Sequence, residues 1–352
     1  MTGNNHRTEK TRRTFLKEVA AFGGAIALTG YATNFVEPLA HAGQTTASTA
    51  MWIKQAGLEL YTVRDLMLDP AGYESTLEKI AAMGFKEVEP ADRTDSKGLG
   101  YDGLDPKSYR ALLDKYGLTM PSTHTAAYDG PDLEKTLEGF QLMGIKYTEI
   151  VPAPVPRPPS AARSAAPTAG ARGRGPAPAP PPIMLDSVKR TADEVTAHAK
   201  IANKFGMKLF GRMDPQQFQE IADSPGQHWF EVMIANTDPS AFTMQLDTGW
   251  AAVLGFDTTE MFKKNPGRYE LWHVKDAAGI SHMTPQMTVA ERRQAAEICP
   301  VGLGLIDFKT LFANAGIAGL KHYCFEQDNA AAWGDSLAAA RVSYTNLVKI
   351  LS

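Results

Sequence analysis

The chain has 352 residues, 43% of them hydrophobic, and a formal net charge of -3. That is enough apolar material for one large core, and the near-neutral balance argues against nucleic acid or an anionic membrane surface as partner, leaving a small-molecule site as the default. The two cysteines, Cys299 and Cys324, cannot make a disulfide framework and lack metal-ligand spacing; Cys324 lies in an apolar run and reads as a small hydrophobe.

In chain order, the first element is a targeting segment. Thr11-Arg-Arg-Thr-Phe-Leu-Lys precedes a soft apolar stretch, Val19 to Leu28, too short and too rich in Gly and Ala to span a bilayer. Ala40-His-Ala42 then offers a small-x-small cleavage site. The paired arginines followed by Phe-Leu-Lys resemble the twin-arginine export signal. That resemblance implies passage through the twin-arginine export machinery in a folded state, a periplasmic mature protein and no stable membrane span after processing. Residues 1–42 are set apart as this signal peptide, and 43–56 as a linker leading into the folded region.

Beyond it a punctuation mark recurs. Gly84-Phe-Lys, Gly144-Ile-Lys, Gly206-Met-Lys and Gly319-Leu-Lys each follow a helix-like segment and open a short strand-like run, as a glycine C-cap followed by the next strand would. Tyr116-Gly-Leu and Pro266-Gly-Arg-Tyr mark two further junctions. With the run after Gly57, the strand candidates are 58–63, 86–90, 118–124, 146–151, 207–212, 242–247, 269–274 and 321–326. Strands alternating with helical stretches imply parallel pairing through crossovers. Eight of them over 57–352 predict an α/β single domain, a (β/α)8 TIM barrel. An open doubly wound sheet is the other arrangement, but no Gly-x-Gly-x-x-Gly follows the first strand. The segment 152–182, dense in Pro, Ala, Arg and Gly, is expected to be a disordered or polyproline-like insert after the fourth strand. It is either a solvated insert without function or a lid.

The strand ends carry the chemistry. In a parallel barrel all carboxyl ends open on one rim, so distant residues meet there by topology. Asp247 closes Phe242-Thr-Met-Gln-Leu-Asp, His273 closes Tyr269-Glu-Leu-Trp-His, Glu326 closes His322-Tyr-Cys-Phe-Glu, and Glu149 lies in Lys146-Tyr-Thr-Glu-Ile-Val. An imidazole with three carboxylates is the donor mix of one divalent metal ion. Singly each has another use: Asp247 before Thr-Gly caps a helix, His273 packs in the core, and Glu326 pairs with a lysine.

These runs also resemble a known family. Leu58-Glu-Leu-Tyr-Thr-Val-Arg-Asp, Met244-Gln-Leu-Asp-Thr-Gly-Trp, Pro266-Gly-Arg-Tyr-Glu-Leu-Trp-His-Val-Lys-Asp, Ile306-Asp-Phe and His322-Tyr-Cys-Phe-Glu-Gln-Asp are similar to the sugar phosphate isomerase/epimerase superfamily, with its xylose isomerase-like barrel. The resemblance runs from about Leu58 to Leu351, the proline-rich insert excepted. It implies Mn, Co, Mg or Zn bound by Asp247, His273 and Glu326. It breaks at the fifth strand, where relatives carry a fourth ligand or a His-Asn-His motif and this chain has Arg212 and Met213. Glu149, Glu89 and Asp214 are the replacements to consider, Glu149 first; a salt bridge to Arg212 is its alternative role. Leu303 also stands where relatives often place a glutamate.

The expected activity is isomerase, epimerase or lyase chemistry on a carbohydrate, by removal of a proton next to a metal-polarised carbonyl. Glu326 is the first choice for acid or base, with Glu149 its counterpart. His124, ending Met120-Pro-Ser-Thr-His, together with Lys275, Arg212 and Glu89, would bind substrate; His124 and Lys275 have packing and solvated roles as alternatives. Trp250 and Trp272 either stack on a sugar or pack in the core. No glycine-rich phosphate cradle is evident. The rival readings are a metal-dependent hydrolase of the same fold and a non-catalytic sugar-binding barrel.

Overall fold

The structure is a computed structural model, and it describes residues 52–90, 104–152, 182–284 and 286–352. The expected signal peptide and nearly all of the expected insert lie outside these residues. Among the described residues, no helix is long and apolar enough to cross a membrane.

Seven short strands form one curled parallel sheet: β1 Gly57–Glu59, β2 Glu87–Glu89, β3 Tyr147–Thr148, β4 Lys208–Arg212, β5 Phe242–Asp247, β6 Leu271–Val274 and β7 His322–Phe325. Their order is β2-β1-β7-β6-β5-β4-β3, the cyclic order that helical crossovers between successive parallel strands produce. Helices supply those crossovers, among them Pro70–Met83, Leu185–Ala202 and Thr258–Lys264, and the helix Ser336–Leu351 follows the last strand. The largest apolar cluster draws on residues from Trp52 to Leu351. The recurring glycines act as read: Gly84, Gly144, Gly206 and Gly319 each end a helix in the left-handed conformation that a side chain disfavours.

Three expected strands differ, each for a local reason. The run 58–63 stops at Glu59, because its carboxylate accepts from the Tyr61 backbone N–H at 2.7 Å and caps a 3-10 turn over Leu60–Leu66. The run 118–124 forms no strand; it touches β2 and β3 only through isolated parallel bridges at Thr119 and Ser122. Pro121 lies between those bridges and has no N–H to donate, so a ladder cannot run through it. Its carbonyl still accepts from Lys146 and Tyr147. Among the described residues the sheet therefore has seven strands rather than the expected eight. The run 146–151 splits at Glu149: Tyr147–Thr148 pairs with β4, while Ile150–Pro152 leaves to pair with Ala127–Asp129.

Candidate active site

The sheet register assembles the site. Asp247 and His273 are direct partners across β5 and β6, and Glu59 and Glu89 across β1 and β2. Because strand side chains alternate, Gln245 shares a face with Asp247, Lys275 with His273, and Asp328 follows Glu326 by the same spacing. Trp272, between two inward positions, points outward and stacks on Phe262 with ring centroids 5.3 Å apart, so it belongs to the core.

A continuous chain of polar contacts crosses the interior. His124 Nε2 lies 3.0 Å from Gln245 Oε1, and the Gln245 amide donates to both Glu89 oxygens at 2.8 and 3.0 Å. Glu89 Oε2 meets His273 Nε2 at 2.6 Å, and the other ring nitrogen, Nδ1, meets Glu326 Oε2 at 2.8 Å. That same Glu326 oxygen lies 3.0 Å from the Lys275 ammonium, which also reaches Asp247 Oδ2 and Asp328 Oδ2, each at 2.8 Å. Glu59 and Glu89 are fully buried, and Lys275 is 1% exposed.

Burial and neighbouring charge compete at each group. Burial alone would depress His273, but the carboxylates of Glu326 and Glu89 outweigh it and hold the imidazole charged well above its ordinary range. Burial would raise Glu326 and Glu89; Lys275 and His273 pull Glu326 well down, while His124 and His273 hold Glu89 at about 2. Asp247 goes the other way, pushed by burial to about 6 against the pull of Lys275. Burial, reinforced by Glu326, raises Glu59, and its Oε1 has no hydrogen-bond partner. His124 is lowered, chiefly by burial, against the pull of Glu89.

Glu149 is not a member of that polar chain, though Glu89 acts on its charge. It lies at the split end of β3 with Arg212 Nε 3.8 Å away, and burial raises its carboxyl to about 7 despite Arg212, with Asp214 adding to the rise. Glu149, Arg212, Asp214, Gln217 and Trp229 line a cavity of about 300 Å3.

Two groups of side chains have donor atoms within 4.8 Å of one another, as one metal ion requires: Asp247, His273 and Glu326, and Glu89, His124 and His273. The first holds three of the four donors expected from the strand ends, without Glu149. Its mixed nitrogen and oxygen donors suit a divalent ion. Asp247 Oδ1 is taken by the Trp250 backbone N–H at 2.8 Å, capping the helix Thr248–Leu254, so Oδ2 is the oxygen it could offer an ion. Glu149 belongs to neither group. Of the residues expected to touch substrate, Arg212 lines the cavity, whereas Glu89 and Lys275 are buried in the polar chain. Trp250 lies under Lys275, its ring centroid 5.2 Å from Nζ.

Sequence reading passed over Glu59, Gln245 and Asp328. The two-residue spacing from Asp247 and Glu326 marks the last two; Glu59 gave no signal beyond being a carboxylate inside an apolar run.

Asp276, which follows Lys275, has a structural task. Its carboxylate accepts from the backbone N–H groups of Gly302 and Gly304 at 2.9 Å, Ala277 at 2.8 Å and Ile306 at 3.3 Å, pinning the Val301-Gly-Leu-Gly loop. A Cβ on Gly304 would collide with that carboxylate, so only glycine fits.

No protein-family model matches the sequence, and no curated protein matches it. Solved structures do share its fold. A sugar phosphate isomerase/epimerase from Parabacteroides distasonis ATCC 8503 superposes with TM-score 0.59 at 17% identity, covering 85% of this chain and 96% of that one. L-ribulose 3-epimerase gives 0.54 at 16% identity, over 84% and 94%. A xylose isomerase-like TIM barrel protein from Mycobacterium smegmatis in complex with magnesium gives 0.50 at 16%, over 86% and 97%. The chain shares with these barrels an α/β fold built on a curled parallel sheet. At such identities the likeness is one of architecture.

Proposed function

We propose that this protein is a carbohydrate isomerase or epimerase that shifts a proton next to a carbonyl, assisted by one divalent ion held by Asp247, His273 and Glu326. The observation that carries it is the convergence of those three donors at the ends of three adjacent strands, within 4.8 Å. A bound divalent ion supplies polarisation of the sugar carbonyl and acidifies the neighbouring C–H.

The chain's own groups divide the remaining work. Glu149, with a carboxyl near 7, is ionised in a useful fraction at neutral pH and still basic enough to take a carbon-bound proton. Glu326, held by Lys275 and His273, stays ionised and is the weaker base, so it serves as a ligand. Arg212 beside Glu149 fixes a substrate oxygen by its fork of donors. The cavity these two line has room for a small carbohydrate. His124 donates from Nε2 to Gln245 Oε1 at the end of the polar chain.

The barrel architecture of the isomerase and epimerase structures supports this reading, and β-elimination from a keto-sugar would share its first step. One ion per chain is proposed, because the second donor group draws on the same His273. The identity of the ion is left among Mn, Co, Mg and Zn. The paired arginines at 12 and 13 support export by the twin-arginine machinery to the periplasm; fractionation of cells producing the protein with both arginines replaced by lysine tests that, retention in the cytoplasm being expected. The activity is tested by incubating the metal-loaded protein in D2O with a panel of keto-sugars and following the C–H signals by NMR. Loss of one C–H signal beside the carbonyl is expected. Metal-dependent binding without exchange would instead make the protein a sugar-binding barrel.

A further inference from the structure

We propose that Lys275 is a displaceable counter-cation for the metal site: its ammonium neutralises Asp247 and Glu326 when no ion is bound and must be expelled when one binds. The inference rests on the proposed metal reading and concerns how tightly this chain holds its ion.

The geometry sets up the competition. Nζ lies 2.8 Å from Asp247 Oδ2 and 3.0 Å from Glu326 Oε2, two of the three residues of the donor group. Asp247 has no other free oxygen, since Oδ1 caps the next helix. Metal–oxygen bonds are about 2.0–2.6 Å long. An ion at that distance from Asp247 Oδ2 would press against an ammonium ion-paired to the same atom, and the two positive charges would repel in a site with little water to screen them.

The lysine has a seat shaped for it, which argues against chance placement. Thr248 Oγ1 donates to the Lys275 carbonyl at 2.8 Å and accepts from its N–H at 3.0 Å. Gly249 leaves room for the stem, because a Cβ there would lie 2.7 Å from Lys275 Cγ. Trp250 places its ring centroid 5.2 Å from Nζ, within range of a cation–π contact. The run Asp247-Thr-Gly-Trp thus encloses one buried ammonium. An exit partner is also present: Asp328 Oδ2 is 2.8 Å from Nζ, and its side chain is 38% exposed, so it can keep the lysine when the inner oxygens are taken.

Two consequences follow. The metal-free protein keeps its inner carboxylates compensated and stays folded, and its ion is held less tightly than three buried donors would otherwise hold it. Titration with Co2+, read by its visible absorption, is the test, on the wild type, Lys275→Met and Asp247→Ala. Lys275→Met should bind Co2+ more than tenfold tighter than the wild type. Its thermal midpoint without metal should lie below the wild-type value and rise further on adding Co2+. Should Lys275→Met fail to fold, Lys275→Gln, whose amide can still bond the same oxygens without charge, carries the comparison in the same direction. Equal or weaker Co2+ binding by the lysine variants than by the wild type would overturn the counter-cation alone. No Co2+ uptake by any chain, or uptake unaffected by Asp247→Ala, would sink the metal reading as well.

Discussion

Replacing Glu89 by glutamine removes one charge from the interior while keeping its volume. Glu89 is fully buried, meets His273 Nε2 at 2.6 Å, and is held at about 2 because His124 and His273 outweigh its burial. An unfolded glutamate titrates near 4.3, and a difference of one pH unit between the two states is worth about 1.4 kcal/mol, so the folded state gains about 3 kcal/mol from this group at neutral pH. Breaking a buried ion pair by removing one partner costs about 3–5 kcal/mol, which agrees. The sign is that of a depressed carboxyl: the stabilisation is fully present above about 4.3 and disappears as the pH falls toward about 2. Urea unfolding of wild type and Glu89→Gln should therefore differ by about 3 kcal/mol at pH 7, and the gap should close steadily between about pH 4 and pH 2. A gap below about 1 kcal/mol at pH 7, or one independent of pH, would refute the ion pair with His273.

Three further outcomes are expected. Proton exchange into a keto-sugar should rise through a midpoint near pH 7 as Glu149 ionises, and Glu149→Gln should abolish the exchange while leaving sugar binding within about threefold, measured by isothermal calorimetry. Metal analysis of purified protein should show the ion lost in Asp247→Ala and His273→Ala but kept in Glu149→Ala, since Glu149 lies outside both donor groups. Gly304→Ala should lower stability by about 1–3 kcal/mol in thermal unfolding, because the added methyl must displace the buried Asp276 carboxylate.

What the sequence made legible depends on how locally each feature is specified. The glycine C-caps were readable because a left-handed residue after a helix is a demand on one position, and Gly84, Gly144, Gly206 and Gly319 all meet it. The strand ends 242–247 and 321–326 were readable because an apolar run closing on one polar residue marks a rim position. The run 118–124 misled for the opposite reason: its composition suits a strand, and only the missing N–H of Pro121, set against two neighbours at once, keeps it from pairing as one.

The fate of Lys275 could not be read at all from its own surroundings in the chain. Following a histidine by two residues, it looked like a group free to meet substrate. What decides otherwise comes from elsewhere: three carboxylates from two other strand ends, and Thr248, Gly249 and Trp250, which fold around its stem. A buried lysine with that many acidic partners keeps its charge, since burial, which would lower it, is outweighed by Asp247, Glu326 and Asp328. The same convergence that gathers possible donors for an ion thus gathers them around an ammonium, and on the proposed reading the balance between these two cations, rather than the presence of the ligands alone, would set how tightly the site holds its ion.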